Sequence, residues 1–180
     1  MIEIENVEKA ANNLLAELGV VEYPIDVESV AWHKNIQIVS SKIDGGVSGF
    51  LHRGKEITLI GINSDHNYKR RRFTIAHELG HFVLHINSSE DTFIDKVPSS
   101  AFFRDQESSW GTDRKEVEAN AFAAALLMPE HLIRECLAKY LARYSSIEDI
   151  AWRMAKDFEV SEQAMTIRLI KLKIFGLEIS

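Results

Sequence analysis

The stretch His77-Glu78-Leu79-Gly80-His81 has the residue types and spacing from which a hydrolytic metal centre is built. On an α-helix, residues four apart are separated by about 40° around the axis and about 6 Å along it, so both imidazoles can reach one ion. Glu78 sits beside that face, placed to take a proton from a water that the ion acidifies. Two imidazoles suit Zn²⁺, which in catalytic sites takes three protein ligands and keeps one position open. The short pattern also occurs in core helices whose histidines are merely hydrogen-bonded, so its setting has to be weighed. Its flanks, Phe73-Thr74-Ile75-Ala76 and Phe82-Val83-Leu84-His85, are apolar and predict a buried helix over residues 73–86.

A third ligand must come from elsewhere. His85 lies about 12 Å from His77 along the same helix and cannot share an ion with it. Leu84 and Asn87 stand where an extended pattern would need Gly and His, so a later carboxylate is required. The helical stretch 114–129 offers two. Its apolar stripe is Ala119, Phe122, Ala123, Leu126 and Leu127, and Glu116 prolongs that stripe by one turn. Glu118 is rotated by about 200° from Glu116 and reads as solvated. Facing therefore favours Glu116, although an acidic first turn is also what the helix dipole prefers. Asn120, one turn further on, is expected to orient a ligating histidine, and His85 to orient or pack rather than to catalyse.

Three blocks carry a family likeness. They are Arg72 to His81 with His85; Glu116-x-x-Ala119-Asn120-x-Phe122-Ala123-Ala124-x-Leu126-Leu127-Met128-Pro129; and, upstream, Pro24-x-Asp26-Val27. Together they resemble the ImmA/IrrE family of bacterial and phage zinc metallopeptidases. The likeness covers most of the chain and is weaker before residue 24 and after residue 145. Ala125 stands where the family often has Glu, a position to which no catalytic role is assigned. The resemblance implies a zinc-dependent endopeptidase in which His77, His81 and Glu116 hold Zn²⁺ and Glu78 serves as general base. It also implies a protein substrate, a helix-turn-helix transcriptional repressor whose cleavage relieves repression.

Composition narrows the remaining classes. With 180 residues, 46% hydrophobic and 27% charged, the chain suits one soluble domain with a small appendage. The beginning, Met1-Ile2-Glu3-Ile4-Glu5, lacks the basic-then-apolar order of a secretory signal, and no apolar run has the length of a membrane span. A cytoplasmic location with no membrane contact is expected. Cys136 is the single cysteine, which excludes an intramolecular disulfide and a cysteine-type structural zinc. The net charge of −6 argues against a dedicated DNA binder. One basic run, Lys69-Arg70-Arg71-Arg72, reads as a solvated turn or as a rim that attracts an acidic substrate segment.

The expected fold is α+β, with helices around a small antiparallel sheet and a zincin-like active-site helix. Helices are predicted over 7–18, closed by Gly19, and over 26–31, started by Asp26. Short strands are predicted at 36–39, 47–51 and 57–62, separated by turns at Asp44-Gly45-Gly46 and Arg53-Gly54-Lys55. Residues 87–113 show no sustained period and are expected to line or cover the cleft. Residues 1–145 form the expected metallopeptidase domain, and 146–180 a C-terminal helical subdomain packed on it. That subdomain reads as helix-turn-helix-like, over 147–158 and 161–175, with Arg168, Lys171 and Lys173 making its last helix basic. Two rival functions follow: a DNA-binding regulator with a non-proteolytic zinc site, and a zinc hydrolase of small amides.

Overall fold

Asp26 starts its helix as its spacing predicts: its carboxylate accepts the Ser29 N–H at 3.0 Å. Asn67 does the same for the Arg70 N–H at 3.0 Å, and Ser146 and Ser161 cap the last two helices. Each side-chain oxygen takes up an N–H that a helix start leaves without an intrahelical acceptor. The computed structural model describes residues 4–44, 46–85, 91–95, 112–144 and 146–174. Among them the order is α1 (Ile4–Glu17), α2 (Val27–His33), β1 (Ile36–Ser41), β2 (Gly49–Arg53), β3 (Thr58–Asn63), α3 (Tyr68–His85), β4 (Asp91–Asp95), α4 (Thr112–Leu127), α5 (Glu130–Leu141), α6 (Ile147–Asp157) and α7 (Glu162–Lys171).

The class is α+β, but the sheet is mixed rather than purely antiparallel. Its strand order is β1-β3-β2-β4, with β1 parallel to β3 and the other two pairs antiparallel. The hairpin between β2 and β3 closes at Gly54, whose N–H donates to Ile57 O at 2.8 Å. The connection before β2 carries the chain to the far side of β3. Asn63 holds that connection, its amide donating to Ile43 O at 2.9 Å and to Val47 O at 3.2 Å. The stretch 87–113, expected to lack regular structure, contributes β4 to the sheet edge, paired with β2. The rest of that stretch, and with it the expected cover over the cleft, lies outside the described residues.

Helix α3 is central and contacts α1, α2, α4, β2 and β3. Ile75, Ala76 and Leu79 join Leu51 and Ile60 of the sheet and Phe122, Ala123 and Leu126 of α4 in one buried cluster. Each large side chain buried there contributes about 1.5–3 kcal/mol. Gly80 sets how near α4 can come. A Cβ at that position would lie 3.0 Å from Ala119 Cα and 3.1 Å from Ala119 O, both backbone atoms that cannot rotate away.

The C-terminal pair is fastened to the start of α3. Lys69 Nζ donates to Val160 O at 2.7 Å, Tyr68 OH donates to Glu159 at 2.9 Å, and the buried Arg72 faces Glu159 at 3.5 Å. Arg70 donates to Ser48 Oγ at 2.8 Å. The basic run thus lies in the first turns of α3, with Lys69, Arg70 and Arg72 each bonded or paired to other parts of the chain and Lys69 itself exposed. Arg168 also departs from expectation. It is buried, donates through Nε to Met128 O at 2.9 Å and pairs with Glu8 of α1, so it is not part of a basic surface. The described part of the last helix ends at Lys171, short of the expected Phe175, which is not among the described residues.

Two outcomes follow from this packing. Gly80→Val should cost about 1–3 kcal/mol in denaturant unfolding, because the added carbons meet backbone; an unchanged midpoint would mean that α3 and α4 separate freely. Burial pushes the Cys136 thiol up to about 11, beside Tyr23 and Asp157. Iodoacetamide at about pH 8 should therefore leave the folded chain unlabelled and label it in denaturant; equal rates in both would contradict the burial.

Candidate metal centre

His77 and His81 project from successive turns of α3, and Glu116 reaches them from α4. The two Nε2 atoms stand 3.0 Å apart. Glu116 Oε2 is 3.2 Å from His77 Nε2, and Oε1 is 3.2 Å from His81 Nε2. All three ligand atoms fall within 4.8 Å of one another. Both rings are buried, at 2% and 1% exposed, whereas the Glu116 side chain keeps 24% of its surface. The carboxylate therefore marks the side from which the centre can be reached.

The outer hydrogen bonds decide what these atoms can hold. His77 Nδ1 donates to Asn120 Oδ1 at 3.0 Å, which leaves Nε2 as a lone pair. His85 Nε2 donates to the Glu118 carboxylate at 3.0 Å; in the neutral ring its Nδ1 is then an acceptor. His81 Nδ1 lies 3.1 Å from that acceptor and supplies the proton, so its own Nε2 is a lone pair as well. Two imidazole lone pairs and a carboxylate thus point into one small volume. Such a set repels itself unless a cation stands between its members, and its N,N,O composition suits Zn²⁺. The residues fit a metal ion.

The titration behaviour agrees. Burial lowers the His81 pKa despite Glu116, favouring the neutral ring that a metal requires.

Glu78 follows His77 and is fully buried. Its carboxylate lies against β2, where a Cβ added to Gly49 would come within 3.5 Å of Oε1. Asn120 and His85, the two residues expected to orient a ligand, each contact one of the two facing histidines. Glu118 does not match its reading as a solvated residue. It is 7% exposed, accepts from His85, and accepts Arg114 Nε at 2.8 Å. The cause is that the contact of α4 with α3 is wider than its apolar stripe, so that Glu118 meets His85 of the same helix whose His77 and His81 meet Glu116. The helices pass in opposite senses, bringing Asn120 to His77 and Glu118 to His85. The sequence held one sign of this arrangement, the i,i+4 pair Arg114 and Glu118, set beside a histidine four residues after His81.

Comparison with known proteins gives the family. A family profile described as a peptidase with an IrrE N-terminal-like domain matches residues 32–169. The chain is 30% identical over 122 residues to an uncharacterized immunity region protein 2 of Bacillus phage phi105, covering 68% of each. It is 26% identical over 138 residues to the metallopeptidase ImmA of Bacillus subtilis (strain 168), covering 76% of this chain and 73% of that one.

The convergence predicts a single divalent ion per chain. Titration with Zn²⁺ should saturate at one equivalent, and the double variant His77→Ala/His81→Ala should retain none. Tight stoichiometric zinc in the double variant would place the ion elsewhere.

Proposed function

The chain belongs to the metallopeptidase family with the IrrE N-terminal-like domain, and on that premise we propose that it is a zinc-dependent endopeptidase acting on a helix-turn-helix transcriptional repressor. The observation that carries the catalytic reading is the meeting with Glu116 of two imidazole lone pairs from the helix that also carries the buried Glu78. The substrate class rests on the family resemblance, and on the likeness to a phage immunity region protein, whose setting suits control of a repressor.

His77, His81 and Glu116 would hold the ion, and Glu78 would do the proton work. When bound, the ion polarises the scissile carbonyl and makes a water acidic enough to attack near neutral pH. Glu78 accepts the proton of that water at a carboxylate oxygen as the new C–O bond forms. It then returns the proton to the leaving nitrogen as the C–N bond breaks, so the amine departs neutral. Asn120 holds the His77 ring in the orientation that the first step needs. Because Glu78 is buried, its proton is not lost to bulk water between the two steps.

Among the described residues no helix is long and apolar enough to cross a membrane. The site of action we propose is the cytoplasm, where a repressor is found. The DNA-binding alternative loses its best surface cation, since Arg168 is spent inside on Met128 O and Glu8.

Incubating the zinc-loaded chain with purified helix-turn-helix repressors, followed by intact-mass spectrometry, tests the substrate class. Cleavage at a defined bond is expected, and intact repressors alongside a cleaved unstructured peptide would remove that class. Glu78→Gln should lower cleavage by about 10²- to 10⁴-fold with zinc content unchanged. Activity within about tenfold of the parent would take the proton transfer away from Glu78.

A further inference from the structure

Beyond the three residues that meet at the centre, a line of polar contacts runs from His81 to the molecular surface. His81 Nδ1 and His85 Nδ1 are 3.1 Å apart, His85 Nε2 meets Glu118 Oε2 at 3.0 Å, and Glu118 Oε1 accepts Arg114 Nε at 2.8 Å. The inner members are buried, and the Arg114 side chain is 44% exposed. Two features separate this line from ordinary packing. It is directional, since a carboxylate can only accept and so dictates which nitrogen of each ring carries the proton. It also passes through a second carboxylate on the same helix as Glu116, so a single helix places both the facing oxygen and the group that contacts His81 through His85.

We propose that Glu118 is a positioning residue for the metal centre, acting through His85 to keep the His81 Nε2 lone pair aimed at the ion. Arg114 fixes one Glu118 oxygen and leaves the other for His85. This rests on the reading that His77, His81 and Glu116 hold the ion. Without the Glu118 acceptor, the carboxylate no longer dictates which His85 nitrogen carries the proton, and the other tautomer presents a proton to His81. His81 then loses its acceptor, and its own ring can turn a proton toward the centre. Outer partners of this kind change metal affinity by about 10- to 100-fold when removed.

The test is Zn²⁺ affinity, measured on metal-stripped chain by competition with a chromophoric chelator. Glu118→Met fills the space without an acceptor and should weaken zinc by about 10- to 100-fold. Glu118→Gln keeps a carbonyl oxygen for the His85 N–H and should restore most of the affinity. His85→Phe, which leaves the Glu118 and Arg114 pair intact, should repeat the loss and supplies the answer if Glu118→Met does not fold. Nitrogen NMR of the zinc-loaded parent should show His81 protonated at Nδ1, and that signal should weaken in Glu118→Met. A role in packing alone predicts lower melting of the metal-free chain with zinc affinity equal in all folded variants, and that result overturns the proposal. If the parent itself bound no zinc, or kept it in His77→Ala, the ligand reading would fail instead. Parent binding that is lost in His77→Ala yet unchanged in Glu118→Met and His85→Phe would sink the relay alone.

Discussion

Three electron-pair donors held about 3 Å apart in a nearly dry interior are the constraint around which this molecule is arranged. In the tautomers that Asn120 and His85 set, that approach makes each donor lose water and meet another donor. The fold imposes it through backbone contact. Gly80 lets the α4 backbone come against α3, and Ala119, Phe122 and Ala123 fill the seam. Apolar burial along that seam offsets the electrostatic cost of the convergence. The site is thus a polar pocket inside a well-packed apolar contact, the arrangement that the proposed metal centre requires.

A centre built across two helices is only as well placed as the helices themselves. α3 carries most of that burden and is held at both ends. At its start, the turn between α6 and α7 supplies Val160 O and the Glu159 carboxylate to Lys69, Tyr68 and Arg72. Glu159 takes a left-handed backbone, φ 53°, at that turn, a conformation that non-glycine residues adopt at some cost. At the far end, His85 is pinned by Glu118 of α4. Arg168 in turn fastens α7 to the end of α4 and to α1. The C-terminal helices read better as a clamp on α3 than as a separate binding module, with Val160 O and the Glu159 carboxylate gripping the cations of α3.

Much of this was legible because it is local. The i,i+4 histidines, the Asp26 cap and the Ala119 to Leu127 stripe each depend on neighbours within a few residues. The facing of Glu116 follows from the same helical wheel. What escaped depends on contacts remote in sequence. A wheel assigns one buried stripe to a helix, but Glu118 is drawn inside by His85, a partner 33 residues away that no wheel shows. Arg168 read as a surface cation because its partner, Glu8, lies 160 residues away. The parallel pairing of β1 with β3 has no turn signature, since only hairpins announce their register through a short loop. Residues 91–95 pair as an edge strand although their own pattern is weak, which is what a strand defined by its neighbour's open edge looks like.

The most direct measurement of the central claim is an anomalous difference map at the zinc absorption edge, from crystals of the full chain grown with Zn²⁺. The account predicts a single strong peak about 2.0–2.2 Å from His77 Nε2, His81 Nε2 and a Glu116 carboxylate oxygen, with Glu118 still bonded to His85. A peak coordinated by His85 or Glu118, or no peak at the three facing donors, would contradict it.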